Sequence, residues 1–128
     1  MSYYFSKTTD ASFEETLTKV ADELKKEGFG ILTEIDVKDT LKKKLDINFQ
    51  KYKILGACNP PFAYEALKAE NKIGMLLPCN IIVQELSEGK TEVAAIDPVQ
   101  SMQVVDNTSL RVVAEQVQAK LRNVINNI

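Results

Sequence analysis

The chain contains no histidine. That removes the usual general base near neutral pH and the commonest transition-metal ligand, and it excludes any Ser-His-Asp or Cys-His machinery built from this chain alone. Catalysis would have to use thiols, carboxylates, tyrosines, lysines or a bound group. Cysteine is scarce too, with 2 in 128 residues. Two thiolates, even with Asp97 added, fall one ligand short of a closed tetrahedral zinc site in one protomer, so a structural zinc would have to be shared across a dimer; neither a metal nor another cofactor is expected. No segment nears the ~18 uninterrupted apolar residues that mark a membrane span. The opening MSYYFSKTT lacks the basic flank and apolar stretch of a signal peptide. Basic charge is not in surplus either: 16 Lys and Arg stand against 18 Asp and Glu, for a net charge of −2. That balance argues against a nucleic-acid partner, because neutralising phosphates needs excess Lys and Arg on one face. The run Lys42-Lys43-Lys44, bounded by Asp39 and Asp46, reads as a solvated helix face. The expectation is a cytoplasmic protein with no membrane and no nucleic-acid partner, whose thiols are free or redox-active rather than joined in a permanent disulfide.

What is present suits one soluble domain over residues 1–128, with 45% apolar and 27% charged composition. Residues 3–9 have strand composition, and Ser12-Phe13-Glu14-Glu15 forms a capping box that starts a helix. Phe13, Leu17, Val20, Ala21 and Leu24 lay one apolar stripe along that helix, and Lys25-Lys26 followed by Gly28 ends it. Residues 29–37 alternate with period two, as a strand does. One or two helical turns follow at Thr40–Leu45, then a strand at Tyr52–Ala57. Pro60-Pro61 cannot continue a sheet interior but suit the first turn of a short helix, which carries Phe62, Ala63, Ala66 and Leu67 and ends near Asn71 or Gly74.

LLPCNIIVQEL is the next strand, with Pro78 at or before its start. A hairpin centred on Glu88-Gly89 would place Ile81 opposite Ile96, Val83 opposite Ala94, Asn80 opposite Asp97 and Glu85 opposite Glu92, the last a like-charge pair. After Asp97-Pro98, VQSMQVV leads to a long helix striped by Leu110, Val113, Ala114, Val117, Leu121, Val124 and Ile125. Strand-helix-strand over 3–37 is loosely echoed over 52–86. Two one-striped helices, Ser12–Glu27 and Leu110–Asn126, are expected on one face of a mainly antiparallel sheet.

The segments GACNPPFAYEAL, LLPCNIIVQE and IDP, ahead of a long terminal helix, resemble the domain-of-unknown-function 302 family of bacterial and archaeal proteins across nearly the whole chain. The motif falls on Gly56, Cys58, Asn59, Pro60, Ala63 and Leu67, then Pro78 and Cys79, then Asp97-Pro98. The resemblance implies an α+β domain with an antiparallel sheet of about five strands and a long C-terminal helix, similar to the TATA-binding-protein-like or helix-grip arrangement. It also implies a homodimer, and it implies no activity.

Gly56 and the prolines have backbone reasons to be where they are, and Ala63 and Leu67 have packing reasons. That leaves Cys58, Asn59, Cys79, Asn80 and Asp97 as candidate ligand-binding residues, expected together at one end of the sheet around the two Cys-Asn steps. Cys58 sits just before a helix N-terminus, where free N–H groups favour a thiolate, so it is the candidate reactive thiol. Three readings stay open: a binding or accessory protein for an unknown small ligand, a thiol-based redox or sulfur-handling protein in which Cys79 resolves Cys58, and a structural module in which both cysteines are buried small hydrophobes.

Overall fold

The computed structural model describes residues 2–87 and 89–128. Five strands, β1 (Tyr4–Thr9), β2 (Gly30–Asp36), β3 (Tyr52–Cys58), β4 (Cys79–Ser87) and β5 (Lys90–Ile96), form one antiparallel sheet in the order β1-β5-β4-β3-β2. The helices are α1 (Phe13–Lys26), α2 (Val37–Leu45), α3 (Pro60–Ala69), α4 (Pro98–Met102) and α5 (Thr108–Asn126), with a 3-10 turn at Ile73–Leu76. The α+β class and the long C-terminal helix are those the sequence implies.

Local chemistry accounts for the two long helices. The Ser12 hydroxyl oxygen accepts from the Glu15 backbone N–H at 3.1 Å, which is one half of the capping box. Lys25 and Lys26 occupy the last turn of α1, and Gly28 takes a positive φ of 86° beyond it. Asn107 caps α5 by accepting from Leu110 N–H at 3.0 Å. Their stripes meet the same side of the sheet: Val20 and Leu24 of α1, Leu121 and Val124 of α5, and Ile81, Val83 and Val93 of the sheet share one core with no exposed surface. A second, smaller core lies beyond the sheet end, where Ala66, Ile73, Met102, Leu110 and Ala114 pack together. The helix α5 serves both, its N-terminal half covering α3 and α4 and its C-terminal half covering the sheet.

The repeated strand-helix-strand pattern conceals two different connections. β3-α3-β4 joins antiparallel neighbours, whereas β1-α1-β2 links strands at opposite edges that run parallel to each other through the alternating order. The same residue pattern thus serves both a return and a crossover.

Several boundaries differ from the sequence reading. α2 begins at Val37 because Asp36 caps it, accepting from Asp39 N–H at 2.9 Å. α3 ends at Ala69, and the residues expected at its end belong to the loop and 3-10 turn that follow. Residues 98–102 form α4, capped by Asp97, where only a connection was expected.

The hairpin register is also different. Glu88 lies outside the described residues, and Ser87 pairs with Lys90 as a turn at Glu88-Gly89 requires. A shift between Glu85 and Ser87 then moves the rest by one residue, giving Ile81 opposite Ala95, Val83 opposite Val93 and Glu85 opposite Thr91. The shift turns Thr91 inward, where its hydroxyl donates to the Ala11 carbonyl at 2.9 Å, and turns Glu92 outward. The expected Glu85–Glu92 pair does not form; Glu92 lies opposite Gln84 and accepts from its amide at 2.9 Å.

Candidate functional site

The two cores do not close on each other. Between them lies an apolar cavity of about 320 Å³, walled by the ends of β3 and β4, by α3 and by the first half of α5. Four alanines explain the space. Ala57 at the end of β3, Ala63 and Ala66 on α3, and Ala114 on α5 all line it, at places where leucine-sized side chains would fill the gap. Exposed Leu32, the extra residue in a β-bulge of β2, and exposed Leu67 on α3 mark its mouth.

Both thiols reach this cavity. Cys79 opens β4 directly opposite Ala57, and Cys58 is the next residue after Ala57 on β3. Cys58 is half-buried in the wall, whereas Cys79 is 7% exposed and belongs to the main core. Burial first, and then the neighbouring Cys58, push the Cys79 thiol up to about 11. Asn59 is also at the wall, with its side-chain amide donating to the Glu27 carbonyl at 3.0 Å, so it ties α3 to the end of α1.

The other two candidates lie elsewhere. Asn80 follows Cys79 on the strand and faces the opposite side of the sheet, exposed. Asp97 is buried but is not part of the cavity lining; it caps α4 through Val99 N–H at 3.0 Å and accepts from the Gln118 amide at 3.0 and 3.2 Å. The structure therefore brings Cys58, Asn59 and Cys79 together and leaves Asn80 and Asp97 outside. Motif reasoning passed over most of the apolar lining, including Phe29, Leu32, Met102, Val113 and Val117 as well as Ala57 and Ala114; the alanines' signal was small size within otherwise large apolar stripes.

The chemistry of the helix N-terminus also differs from expectation. Pro60 and Pro61 fill the first positions of α3 and supply no N–H, and Ala63 N–H is taken by the Asn59 carbonyl at 2.9 Å. The donors expected to favour a Cys58 thiolate are therefore largely missing. A wall without cations and a helix end with few donors suit an uncharged occupant. Among the described residues, no three His, Cys, Asp or Glu side chains gather in a way that could hold a metal ion.

The model of the family described as Domain of unknown function DUF302 matches residues 5–128. The chain belongs to this family. The crystal structure of uncharacterized conserved protein DUF302 from Bacillus stearothermophilus is similar in fold at 24% sequence identity, with a TM-score of 0.91 over 99% of this chain and 98% of that one. No curated protein matches the chain. No helix is long and apolar enough to cross a membrane among the described residues.

The unequal burial of the thiols gives a direct prediction. Up to pH 9 the native protein should take one iodoacetamide label per chain, on Cys58, and two after denaturation, because a thiol near 11 is only on the order of 1% ionised at pH 9. Peptide mass spectrometry reads the site, and equal labelling of Cys79 would contradict its burial. The same shift fixes a stability trend. From pH 9.0 upwards the unfolded chain releases this proton while the folded chain keeps it, so the Cys79 contribution falls as pH rises towards about 11. Cys79→Ala should flatten that part of the alkaline loss.

Proposed function

We propose that this protein is a small dimeric binding or accessory protein that holds a small, uncharged, largely apolar molecule in the cavity beside Cys58, Asn59 and Cys79. The observation that carries the reading is a cavity of about 320 Å³ kept open by alanines between two otherwise closed cores. Its volume falls at the lower end of small-molecule sites, and its apolar lining with few polar groups matches their usual character. Cys58 and the Asn59 side chain are the polar groups that would orient a ligand.

Titration with the neutral fluorophore phenylnaphthylamine tests this. Saturable binding at one site per chain is expected, together with protection of Cys58 from iodoacetamide. Ala114→Phe should weaken binding at least about tenfold, or ~1.4 kcal/mol, by occupying the space. Ala63→Leu, at a half-buried position, gives a second and milder filler if Ala114→Phe misfolds. Absence of binding, or stronger binding of the anionic analogue anilinonaphthalene sulfonate, would refute an uncharged-ligand site.

A thiol-redox reading draws on the adjacency of Cys58 and Cys79 at one strand end. In that chemistry the Cys58 thiolate would take an oxygen from hydrogen peroxide, releasing hydroxide, and the resulting sulfenic acid would condense with the Cys79 thiol, releasing water and leaving a disulfide. Loss of both thiols per equivalent of peroxide, reversed by dithiothreitol, would favour it over simple binding. A protein that neither binds the fluorophore nor reacts in this way is a structural interaction module.

A further inference from the structure

α1 and α5 cover one side of the sheet; α2 also touches the sheet, at β2 and β3, and buries none of its own residues there. Residues facing the core, such as Leu55, Ile81, Val83, Val93 and Ala95, are at most 2% exposed. Their alternating neighbours are partly open to solvent. Strand pairing sets one continuous row across all five strands: Ser6 beside Ala94, Ala94 beside Ile82, Ile82 beside Ile54, and Ile54 beside Ile35. Ile35 is 49% exposed, and α2, which follows β2, contributes no buried residue.

Charge is nearly absent from this face. The row on the hairpin side holds Tyr52, Gln84 and Glu92, and Glu92 is already engaged by the Gln84 amide at 2.9 Å. The row on the other side has Tyr4 beside Ile96 and Asn80 beside Gly56. Across these rows Glu92 is the one charged side chain, in a protein with 27% charged residues. Depletion of charge around an aromatic and aliphatic centre is the composition of an interface core.

We infer that this open sheet face is where a second copy of the chain docks, sheet against sheet. The inference rests on the dimeric reading above and assigns its surface. Size fits: five strands at ~4.8 Å and about seven residues at ~3.3 Å give a plane of roughly 550 Å², which side-chain relief raises towards the ~800 Å² per partner of a stable interface. Shape favours a copy of the same surface. A two-fold axis along the central strand β4 sets β5 over β3 of the partner subunit, so that small Ala94 meets Ile54 of the partner subunit and small Ser6 meets Ile35 of the partner subunit. The same axis sets Glu92 against Tyr52 of the partner subunit, a carboxylate facing a phenol donor instead of its own copy.

Sedimentation equilibrium at micromolar concentration tests the assignment on the full chain. The unaltered protein should sediment as a species of twice 14.3 kDa. Ile82→Lys and Ala94→Arg, both outward-facing and checked for native circular dichroism, should each weaken association at least a hundredfold and give 14.3 kDa. Val112→Lys, on exposed α5 surface, should stay dimeric. A monomeric unaltered protein overturns the dimer itself. A dimer that persists in both sheet variants, or is lost in Val112→Lys, overturns the choice of face while leaving dimerisation intact. Phenylnaphthylamine binding by the monomeric variants reads the cavity separately.

Discussion

Gly56→Val is expected to destabilise the protein by about 3 kcal/mol or more, beyond the usual cost of overpacking. A Cβ at this position would stand 2.1 Å from Thr33 Oγ1 and 2.6 Å from Pro78 Cγ. The two collisions differ in kind. Thr33 lies on edge strand β2 and is exposed, so its side chain can turn away; the Pro78 ring is held in the chain just ahead of Cys79 and cannot. Adding Thr33→Ala should therefore recover only part of the loss. The urea midpoint should fall by about 1 M or more in the single variant, given slopes of ~1–3 kcal/mol/M. An unchanged midpoint would mean that β3 and the Pro78 segment separate freely at this point. Gly56 is thus a close-approach glycine, needed because the strand and the proline ring pass without room for a side chain.

The reason for Gly56 illustrates what was legible in the sequence. A glycine before the first Cys-Asn step pointed to a backbone constraint, but its two neighbours come from other strands or strand ends and no local pattern names them. The helices α1 and α5 were legible because cap, stripe and terminal charge all agree within one segment. The register of β4 and β5 was not. A single extra residue near Leu86 leaves apolar alternation intact on both sides of the bulge, and what selects the shift is the distant Ala11 carbonyl that satisfies buried Thr91. α4 was missed because five residues are too few for a helical period to show. The cavity was invisible for a related reason: each of its alanines is unremarkable in its own element, and the space exists only where three elements set them side by side. Cys58, Asn59 and Cys79 were found because β3 and β4 pair at their Cys-Asn ends, while Asn80 was drawn in by an expected hairpin pairing with Asp97 that the one-residue register shift removes.

Asp97→Ala should cost about 2–4 kcal/mol, and Asp97→Asn no more than about 1 kcal/mol. Asp97 is 5% exposed, and its carboxylate holds two helices at once, accepting from Val99 N–H at the start of α4 and from the Gln118 amide on α5. Alanine removes the cap, worth about 0.5–2 kcal/mol, and strands a half-buried amide for a further ~1–3 kcal/mol. Asparagine keeps an oxygen for Val99 N–H, and its own amide can donate to Gln118 once the Gln118 side chain rotates to present its oxygen. Chemical denaturation of the two variants measures the difference. It also decides whether Asp97 belongs to the fold or to the site, since a ligand needing the negative charge would be lost in Asp97→Asn even with stability preserved. Unchanged phenylnaphthylamine binding in Asp97→Asn is expected because Asp97 is outside the cavity lining and its carboxylate is taken up by Val99 N–H and the Gln118 amide. A variant that stays folded yet binds at least about tenfold more weakly would move Asp97 into the binding machinery.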